Sequence, residues 1–165
     1  MIGFYGHTNT TGKVNQTCFS NFYPAQFVYK GYNFPTSEHA LMASKAMVFW
    51  DTTRFQMILK SDTPSSAKQY GRRVERYVDS IWAACRYQIM VDILIEKFAQ
   101  NDLMCEYLLS TGEEILVETS PYDKVWGIGM GQDSLDWADQ KLWKGQNLLG
   151  LALMDTRRVL QGRNS

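Results

Sequence analysis

The side chains best suited to chemistry are a carboxylate and an ammonium seven positions apart, Glu38 and Lys45. The residues between them favour a helix, and Pro35, Thr36 and Ser37 provide the signals of a helix start. Seven residues make about two helical turns with an offset of about 20°, so both side chains lie on one face. Opposite charges at this spacing can hold a small substrate between them, and the alternative is an ordinary solvated helix face.

The elements that position this pair follow from caps, breakers and apolar periodicity. Short strands are predicted at 2–5 and 115–117, and aromatic residues around a Lys-Gly turn predict a hairpin at 27–34. After the Glu38 helix, further helices are predicted at 51–60, 65–74, 79–100, 102–112 and 147–161. Residues 120–132 contain a proline, three glycines and a tryptophan, which predict an ordered loop. The sum is a single compact, helix-rich α+β domain over residues 1–165, with a few short strands.

The composition narrows the function classes and the compartment. Lys plus Arg and Asp plus Glu both number 17 in 165 residues, so no global basic field favours an extended nucleic acid. No apolar run is long enough to span a bilayer, and the first residues lack the features of a signal peptide. Three dispersed cysteines and two histidines form neither a disulfide framework nor a metal-ligand spacing. The sequence therefore predicts a cytoplasmic protein without a metal, a cofactor or a membrane partner.

Short motifs occur in a fixed order over nearly the whole chain, from about residue 4 to residue 160. They are residues 19–24, 35–45, 67–72, Trp82 with Met90, Lys97 with Phe98, and residues 109–112, 116–118, 123–127, 147–150 and 153–154. Each motif alone is weak, but the ordered set is specific. Through this set the chain resembles the YbiA-like family, also called the NADAR domain family.

The resemblance implies a compact α+β domain that recognises N-ribosyl compounds. Some members of the family resemble N-glycosidases that hydrolyse ribosylamino-pyrimidine phosphates of riboflavin synthesis, and others remove ADP-ribose from guanine bases. We therefore expect an N-glycosidase whose partner is a phosphorylated N-ribosyl small molecule or an ADP-ribosylated base. The alternatives are an ADP-ribosyl-guanine glycohydrolase, a non-catalytic module that binds ADP-ribose or NAD, and a purely structural protein. The oligomeric state is open.

Glu38 and Lys45 are predicted catalytic residues. Breaking a C1–N bond builds positive charge on the ribose, so the site needs an anion near C1 and a positioned water. A helix start favours the ionised form of Glu38, which suits a base or an electrostatic stabiliser better than a general acid. Lys45 can hydrogen-bond Glu38 or bind a phosphate or ribose hydroxyl, while proton donation and a Schiff base with an opened ribose stay open. His39 faces about 100° away and is expected to be structural.

A second group of candidates lies nearer the C-terminus. Asp123 is the third predicted catalytic residue, as a carboxylate that grasps ribose hydroxyls or assists proton transfer, or else it caps its own turn. Trp126 offers a face on which a base can stack, or it belongs to the core. Gly127 is expected to let the backbone approach a ligand or to shape a turn. Asn147 orients the substrate or caps the last helix.

The remaining candidates for substrate binding lie before residue 80. Lys68, Arg72 and Arg76 share a face if they belong to one helix, and they form either a phosphate clamp or a solvated basic surface. Arg72 matches the arginine of the Gly-Arg pair in the family motif. It is the predicted phosphate ligand among the three. Asn21 and Phe22 are predicted to contact the ribose or the base, and the alternative for Phe22 is a place in the core.

Overall fold

The chain folds into six α-helices, four short β-strands and two 3-10 turns within residues 1–164, which are the residues that this computed structural model describes. In chain order they are β1 (Ile2–Phe4), a 3-10 turn (Gln16–Phe19), β2 (Phe27–Tyr29), β3 (Tyr32–Phe34), α1 (Ser37–Val48), α2 (Thr52–Leu59), α3 (Pro64–Gly71), α4 (Asp79–Ala99), α5 (Asp102–Ser110), β4 (Leu116–Glu118), a 3-10 turn (Gln140–Leu142) and α6 (Leu148–Arg163). The predicted helix-rich α+β class is confirmed.

The elements form two compact units. The central unit comprises residues 21–101, and the terminal unit comprises residues 1–20 with the residues from 102 onward. The central unit contains β2, β3 and the helices α1 to α4, and the terminal unit contains β1, β4, α5 and α6. The single domain predicted over residues 1–165 stays a prediction.

A tight hairpin of β2 and β3 opens the central unit. Phe27 and Phe34 are opposite each other in the antiparallel pair, and both are buried, with ring centroids 6.1 Å apart. Lys30 and Gly31 at the turn have φ values of 50° and 83°. Positive φ at both central residues gives a turn whose twist matches that of the two strands. The predicted hairpin is therefore confirmed.

Helix α1 begins where the sequence predicts, because Thr36 caps it. The Thr36 hydroxyl oxygen accepts the His39 N–H at 3.2 Å and lies 2.7 Å from His39 Nδ1. His39 Nε2 lies 2.9 Å from the Ser61 carbonyl oxygen. Both ring nitrogens are thus used, the side chain is buried, and burial lowers the pKa of His39. His39 is a structural residue that joins the start of α1 to the segment after α2.

The predicted extent of the third helix is wrong at its C-terminal end. The helix was expected over 65–74, but α3 ends at Gly71 and Arg72 takes the cap position. Arg76 has a φ of 59°, so a right-handed helix cannot pass through it. Its guanidinium donates to the carbonyl oxygens of Phe49 and Trp50 at 3.3 and 2.8 Å. Arg72 and Arg76 therefore do not share a helix face, and Arg76 anchors the segment after α3 to the end of α1.

Asp51 joins the start of α2 to the same segment. Its Oδ1 accepts the Arg54 N–H at 3.0 Å, as predicted for a cap, and its Oδ2 accepts the Glu75 N–H at 2.8 Å. Burial raises the pKa of Asp51, but the two hydrogen bonds and the guanidinium groups of Arg54 and Arg76 outweigh burial and hold the pKa below its ordinary value. The carboxylate is therefore a charged anchor inside the central unit.

We expect Asp51→Ala to destabilise the protein by about 2 kcal/mol, because it removes a helix cap and the acceptor of a second N–H. Since the folded-state pKa lies below the ordinary value of 3.8, this contribution is complete above pH 3.8 and is lost as the pH falls through the folded-state pKa. Urea denaturation at pH 7 and pH 3 measures both effects, and the difference from wild type should shrink at pH 3. Asp62→Ala, at an exposed position, is the control. Equal losses for the two variants would contradict the anchoring role.

The terminal unit is built on a parallel pair of strands, β1 and β4. Ile2 lies opposite Leu116, and Phe4 lies opposite Glu118. Val117 of β4 is fully buried and forms a cluster with Ile128, Met130, Ile115, Trp137 and Trp143. The predicted loop at 120–132 therefore packs against the strand pair, and it contains no helix or strand in the described structure.

Candidate functional site

Glu38 lies in the first turn of α1 and is almost wholly buried, with 6% of its surface exposed. Backbone N–H groups of a first turn have no partner inside the helix. The N–H of Glu38 donates instead to the Asn21 carbonyl oxygen at 3.0 Å. The positive end of the helix dipole faces this turn and favours a carboxylate there. The structure thus places an acidic side chain, shielded from solvent, at a helix start.

Lys45 lies two turns further along α1, where the charge of Glu38 acts on it. The side chain is half-buried, and its Nζ is 4.6 Å from the centroid of the Tyr77 ring. Burial lowers the pKa of Lys45, Glu38 and Asp79 raise it, and Arg72 lowers it, so that the pKa lies below its ordinary value. The structure therefore brings the two predicted charges together. It also shows that Lys45 is partly desolvated, which its sequence position does not reveal.

Two residues beside Lys45, Tyr77 and Asp79, are absent from the sequence prediction of the site. The Tyr77 hydroxyl donates to Asp79 Oδ1 at 2.8 Å, and its ring packs edge-on against Phe49 with centroids 5.3 Å apart. Asp79 was expected to cap α4, but it lies within the first turn, and Val78 takes the cap position without a side-chain hydrogen bond. An aromatic residue and a carboxylate two positions apart are too common a pattern to reveal a site.

Several cations of the central unit have no carboxylate oxygen within 4.0 Å among residues 1–164, and Lys45, Lys68 and Arg72 are three of them. Arg72 is exposed, and the repulsion of its charge lowers the pKa of Lys45. The Nζ of Lys68 is 5.7 Å from the centroid of the Phe22 ring. Cations without a nearby carboxylate are available to an anionic ligand. A guanidinium suits a phosphate because it can donate two parallel hydrogen bonds.

The two predicted binding residues before α1 differ in exposure. Asn21 is buried, its Oδ1 accepts the Ser37 hydroxyl at 2.8 Å, and its Nδ2 lies 3.6 Å from Met90 Sδ. The Asn21 side chain is therefore occupied inside the protein, and its predicted contact with the ribose stays a prediction. Phe22 is half-buried rather than part of the core, with its ring facing Lys68.

The loop candidates belong to the terminal unit. Asp123 Oδ1 accepts the N–H groups of Val125 and Trp126, both at 2.9 Å, so this side chain caps its own turn. Trp126 is half-buried. A side chain in place of Gly127 would lie 2.9 Å from the carbonyl oxygens of Asp123 and Glu118, so the internal packing of the loop requires glycine. The catalytic role of Asp123 and the ligand contacts of Trp126 and Gly127 stay predictions.

Asn147 also belongs to the terminal unit and takes the predicted cap position of α6, but its side chain does not cap the helix. It precedes the helix with a φ of 53°, and its side chain forms no capping hydrogen bond. Its Nδ2 donates to the Leu116 carbonyl oxygen at 3.0 Å, and its Oδ1 accepts the Glu118 N–H at 2.9 Å. With 1% of its surface exposed, Asn147 joins the start of α6 to β4. Its surroundings do not favour the predicted contact with substrate, which stays a prediction.

No group of three or more His, Cys, Asp or Glu side chains in the described part of the chain is arranged to hold a metal ion. None of the helices found between residues 1 and 164 is long and apolar enough to cross a membrane.

The fold and the charged site define a class, a helix-rich α+β protein with a shielded glutamate and a partly desolvated lysine on one helix. The chain belongs to the NADAR domain family, whose family model matches residues 3–161. It is similar to N-glycosidase R617 of Acanthamoeba polyphaga mimivirus, with 36% identity over 166 residues that cover 97% of this chain and 96% of that protein. The family predicted from the ordered motifs is thereby confirmed.

Two further comparisons extend the likeness. Riboflavin biosynthesis protein VVA0006 of Vibrio vulnificus is 32% identical over 147 residues, which cover 89% of this chain and 36% of that longer protein. The NMR structure of the E. coli protein YbiA matches with a TM-score of 0.78 and 30% identity, over 99% of this chain and 86% of that one. The predicted YbiA-like fold is confirmed by this match.

Proposed function

We propose that this protein hydrolyses the bond between ribose C1 and nitrogen in a phosphorylated N-ribosyl compound, with a ribosylamino-pyrimidine phosphate as substrate. The enzyme class is a hydrolase of N-glycosidic bonds, because the mimivirus relative, similar over almost its full length, is named an N-glycosidase. The observation that carries the finer proposal is the set of charges on the central unit. The shielded Glu38 acts on a partly desolvated Lys45, and the charge of the exposed Arg72 acts on the same lysine.

Glu38 has the features that the chemical step needs. As the C1–N bond breaks, its electron pair leaves with the nitrogen and positive charge develops at C1. A carboxylate near C1 stabilises that charge, and little solvent is present to weaken the interaction. Water then forms the new C1–O bond, and one of its protons passes through Glu38 to the leaving nitrogen. The products are a ribose phosphate with a C1 hydroxyl and the free amine of the base.

The cations supply the recognition of phosphate in this proposal. Arg72 is exposed and its charge acts on Lys45, and in this proposal both cations bind the same anionic group. Phosphate binding at this point would fix the distance between the ribose and Glu38, which is how remote binding energy assists a reaction at C1. The choice of a ribosylamino-pyrimidine phosphate is supported by the name of the Vibrio relative, a riboflavin biosynthesis protein, whose matching segment covers 36% of its length.

The test is a substrate panel in which released base is measured by mass spectrometry. The panel contains a ribosylamino-pyrimidine phosphate, the same compound without its phosphate, ADP-ribosylated guanosine and NAD. We expect release from the phosphorylated pyrimidine, and a loss of about 100-fold in kcat/KM when its phosphate is removed. Arg72→Met should remove most of that difference, whereas Arg73→Met, at the adjacent exposed position, should keep it.

The other outcomes separate the competing functions. Faster release of guanine from the ADP-ribosylated nucleoside would replace the proposed substrate by that one. Calorimetric binding of ADP-ribose, with no base released from any compound, would favour a non-catalytic binding module. A protein that neither binds nor cleaves any member of the panel would overturn the proposal.

A further inference from the structure

Lys97 is a wholly buried charged side chain near the end of α4, and the proposed function gives it no task. Burial of an ammonium is costly unless hydrogen-bond acceptors surround it, so such lysines are rare. The Nζ of Lys97 lies 3.4 Å from the Ser37 hydroxyl oxygen and 5.4 Å from the centroid of the Phe98 ring. This contact brings a charge of α4 to the first residue of α1.

Ser37 connects Lys97 to Asn21, and the lysine determines the direction of the hydrogen bonds. An ammonium can only donate, so Ser37 must accept from Lys97 and direct its single proton elsewhere. That proton goes to Asn21 Oδ1, 2.8 Å away, and the Asn21 amide nitrogen faces Met90 Sδ at 3.6 Å. Ser37 and Asn21 are both buried, so water has little access to these bonds. The charge of Lys97 thus selects one orientation of the Asn21 amide.

The main chain of Asn21 connects these hydrogen bonds to Glu38. The Asn21 carbonyl oxygen accepts the Glu38 N–H at 3.0 Å and also lies 3.4 Å from the Ser37 hydroxyl oxygen. Since the helix offers this N–H no acceptor, the bond to Asn21 fixes the main chain at residue 38. A cation at the start of a helix has the unfavourable sign for the helix dipole. The dipole of α1 therefore does not favour an ammonium here, and the hydrogen bond to Ser37 is a contact that holds one.

We propose that Lys97 is a positioning residue for Glu38, acting through Ser37 and Asn21 on the start of α1. The catalytic part of this inference rests on the proposed function, because Glu38 is a catalytic residue only if that function holds. The structural part does not, since it concerns the resting protein alone.

Lys97→Met tests the inference, because it removes the ammonium and retains the length and apolar character of the side chain. NMR hydrogen exchange in the absence of substrate reports on the Glu38 N–H, whose acceptor is Asn21. We expect this N–H to exchange about tenfold faster in the variant. The matched control is the Arg54 N–H, another first-turn amide with an acceptor outside its helix, Asp51 Oδ1 at 3.0 Å. Its exchange should change by less than about twofold.

The kinetic part uses the same variant with the compound that the substrate panel identifies. A displaced Glu38 should lower kcat by about tenfold and leave KM within about threefold of wild type. Ser37→Ala, a smaller change at the connecting residue, should produce the same pair of effects if Lys97→Met does not fold. The double variant should be no worse than the poorer single variant, since both substitutions interrupt one path.

The results separate a positioning role from simple core stabilisation. Equal acceleration at the Glu38 and Arg54 amides, or no change at either, would overturn the inference even if the enzyme is active. Selective acceleration at Glu38 with an unchanged kcat would also overturn it, because a displaced Glu38 must alter the chemical step. If the wild-type protein is inactive and Lys97→Met still accelerates exchange selectively at Glu38, the proposed function is refuted and the structural part of the inference is retained.

Discussion

Glu38→Gln is expected to bind substrate about as well as the wild-type protein and to lower kcat by about a thousandfold. The amide has the size of the carboxylate, so the start of α1 keeps its packing around a side chain that is 6% exposed. It carries no negative charge to stabilise an oxocarbenium-like ribose, and it cannot take a proton from water. Losses of about 10² to 10⁴ are typical when one such group is removed. Single-turnover kinetics with calorimetric binding of the intact substrate measures the two effects separately.

Glu75→Gln is the control for this variant. Glu75 belongs to the same unit, its side chain is 59% exposed, and its ion pairs with Arg54 and Arg76 lie at the surface. Removing that charge should leave kcat within about twofold, since exposed pairs contribute little. A Glu38→Gln enzyme with nearly normal kcat would remove Glu38 from the chemistry. A variant that folds but fails to bind would make Glu38 a ligand contact rather than a catalytic group.

The start of α1 could be predicted from sequence because its determinants are local. Thr36 caps the helix through its own side chain, and the spacing of Glu38 and Lys45 is a property of one helix. The hairpin at 27–34 was predictable for the same reason, since two residues at the turn determine its geometry. The ordered motifs added the family, which local rules cannot provide.

The surroundings of Lys45 could not be predicted, because they depend on contacts distant in sequence. The segment after α3 leaves the helix since Asp51 binds the Glu75 N–H and Arg76 binds two carbonyl groups at the end of α1. Those contacts bring Tyr77 to Lys45. The helical periodicity of residues 68–76 does not reveal these distant contacts. For that reason the predicted basic face was wrong.

The burial of Lys97 could not be predicted from the sequence either. A lysine in the last turns of an amphipathic helix normally faces solvent. It donates to Ser37, sixty residues earlier, and no local pattern links the two. Asp123 shows the opposite case, in which a local rule succeeds, because aspartate in turns commonly accepts the N–H groups two and three residues further on.

The pH dependence of catalysis should show in which protonation state Lys45 acts. Burial, opposed by Glu38 and Asp79 and assisted by Arg72, lowers the pKa of Lys45 below its ordinary value of 10.5. If the ammonium binds the phosphate, kcat/KM falls as the pH rises through that lowered pKa. If the neutral amine attacks an opened ribose, the rate instead rises with pH through the same pKa and then levels off. We expect the falling limb, because the charges of Glu38 and Asp79 favour the ammonium form of Lys45.

Substitutions of Lys45 test this expectation, because they should change kcat/KM strongly. Lys45→Met should lower kcat/KM by about 100-fold, and Lys45→Arg should retain about a tenth of the activity and lose the falling limb, since a guanidinium stays charged over the accessible range. Lys60→Met, at an exposed position after α2, is the control and should behave as wild type. Borohydride added during turnover should leave no adduct on wild-type protein. An adduct at Lys45, together with an inactive Lys45→Arg enzyme, would establish the covalent route and refute the electrostatic one. Because Lys45→Arg keeps the charge and loses the ability to form a Schiff base, the two mechanisms predict opposite results for a single substitution.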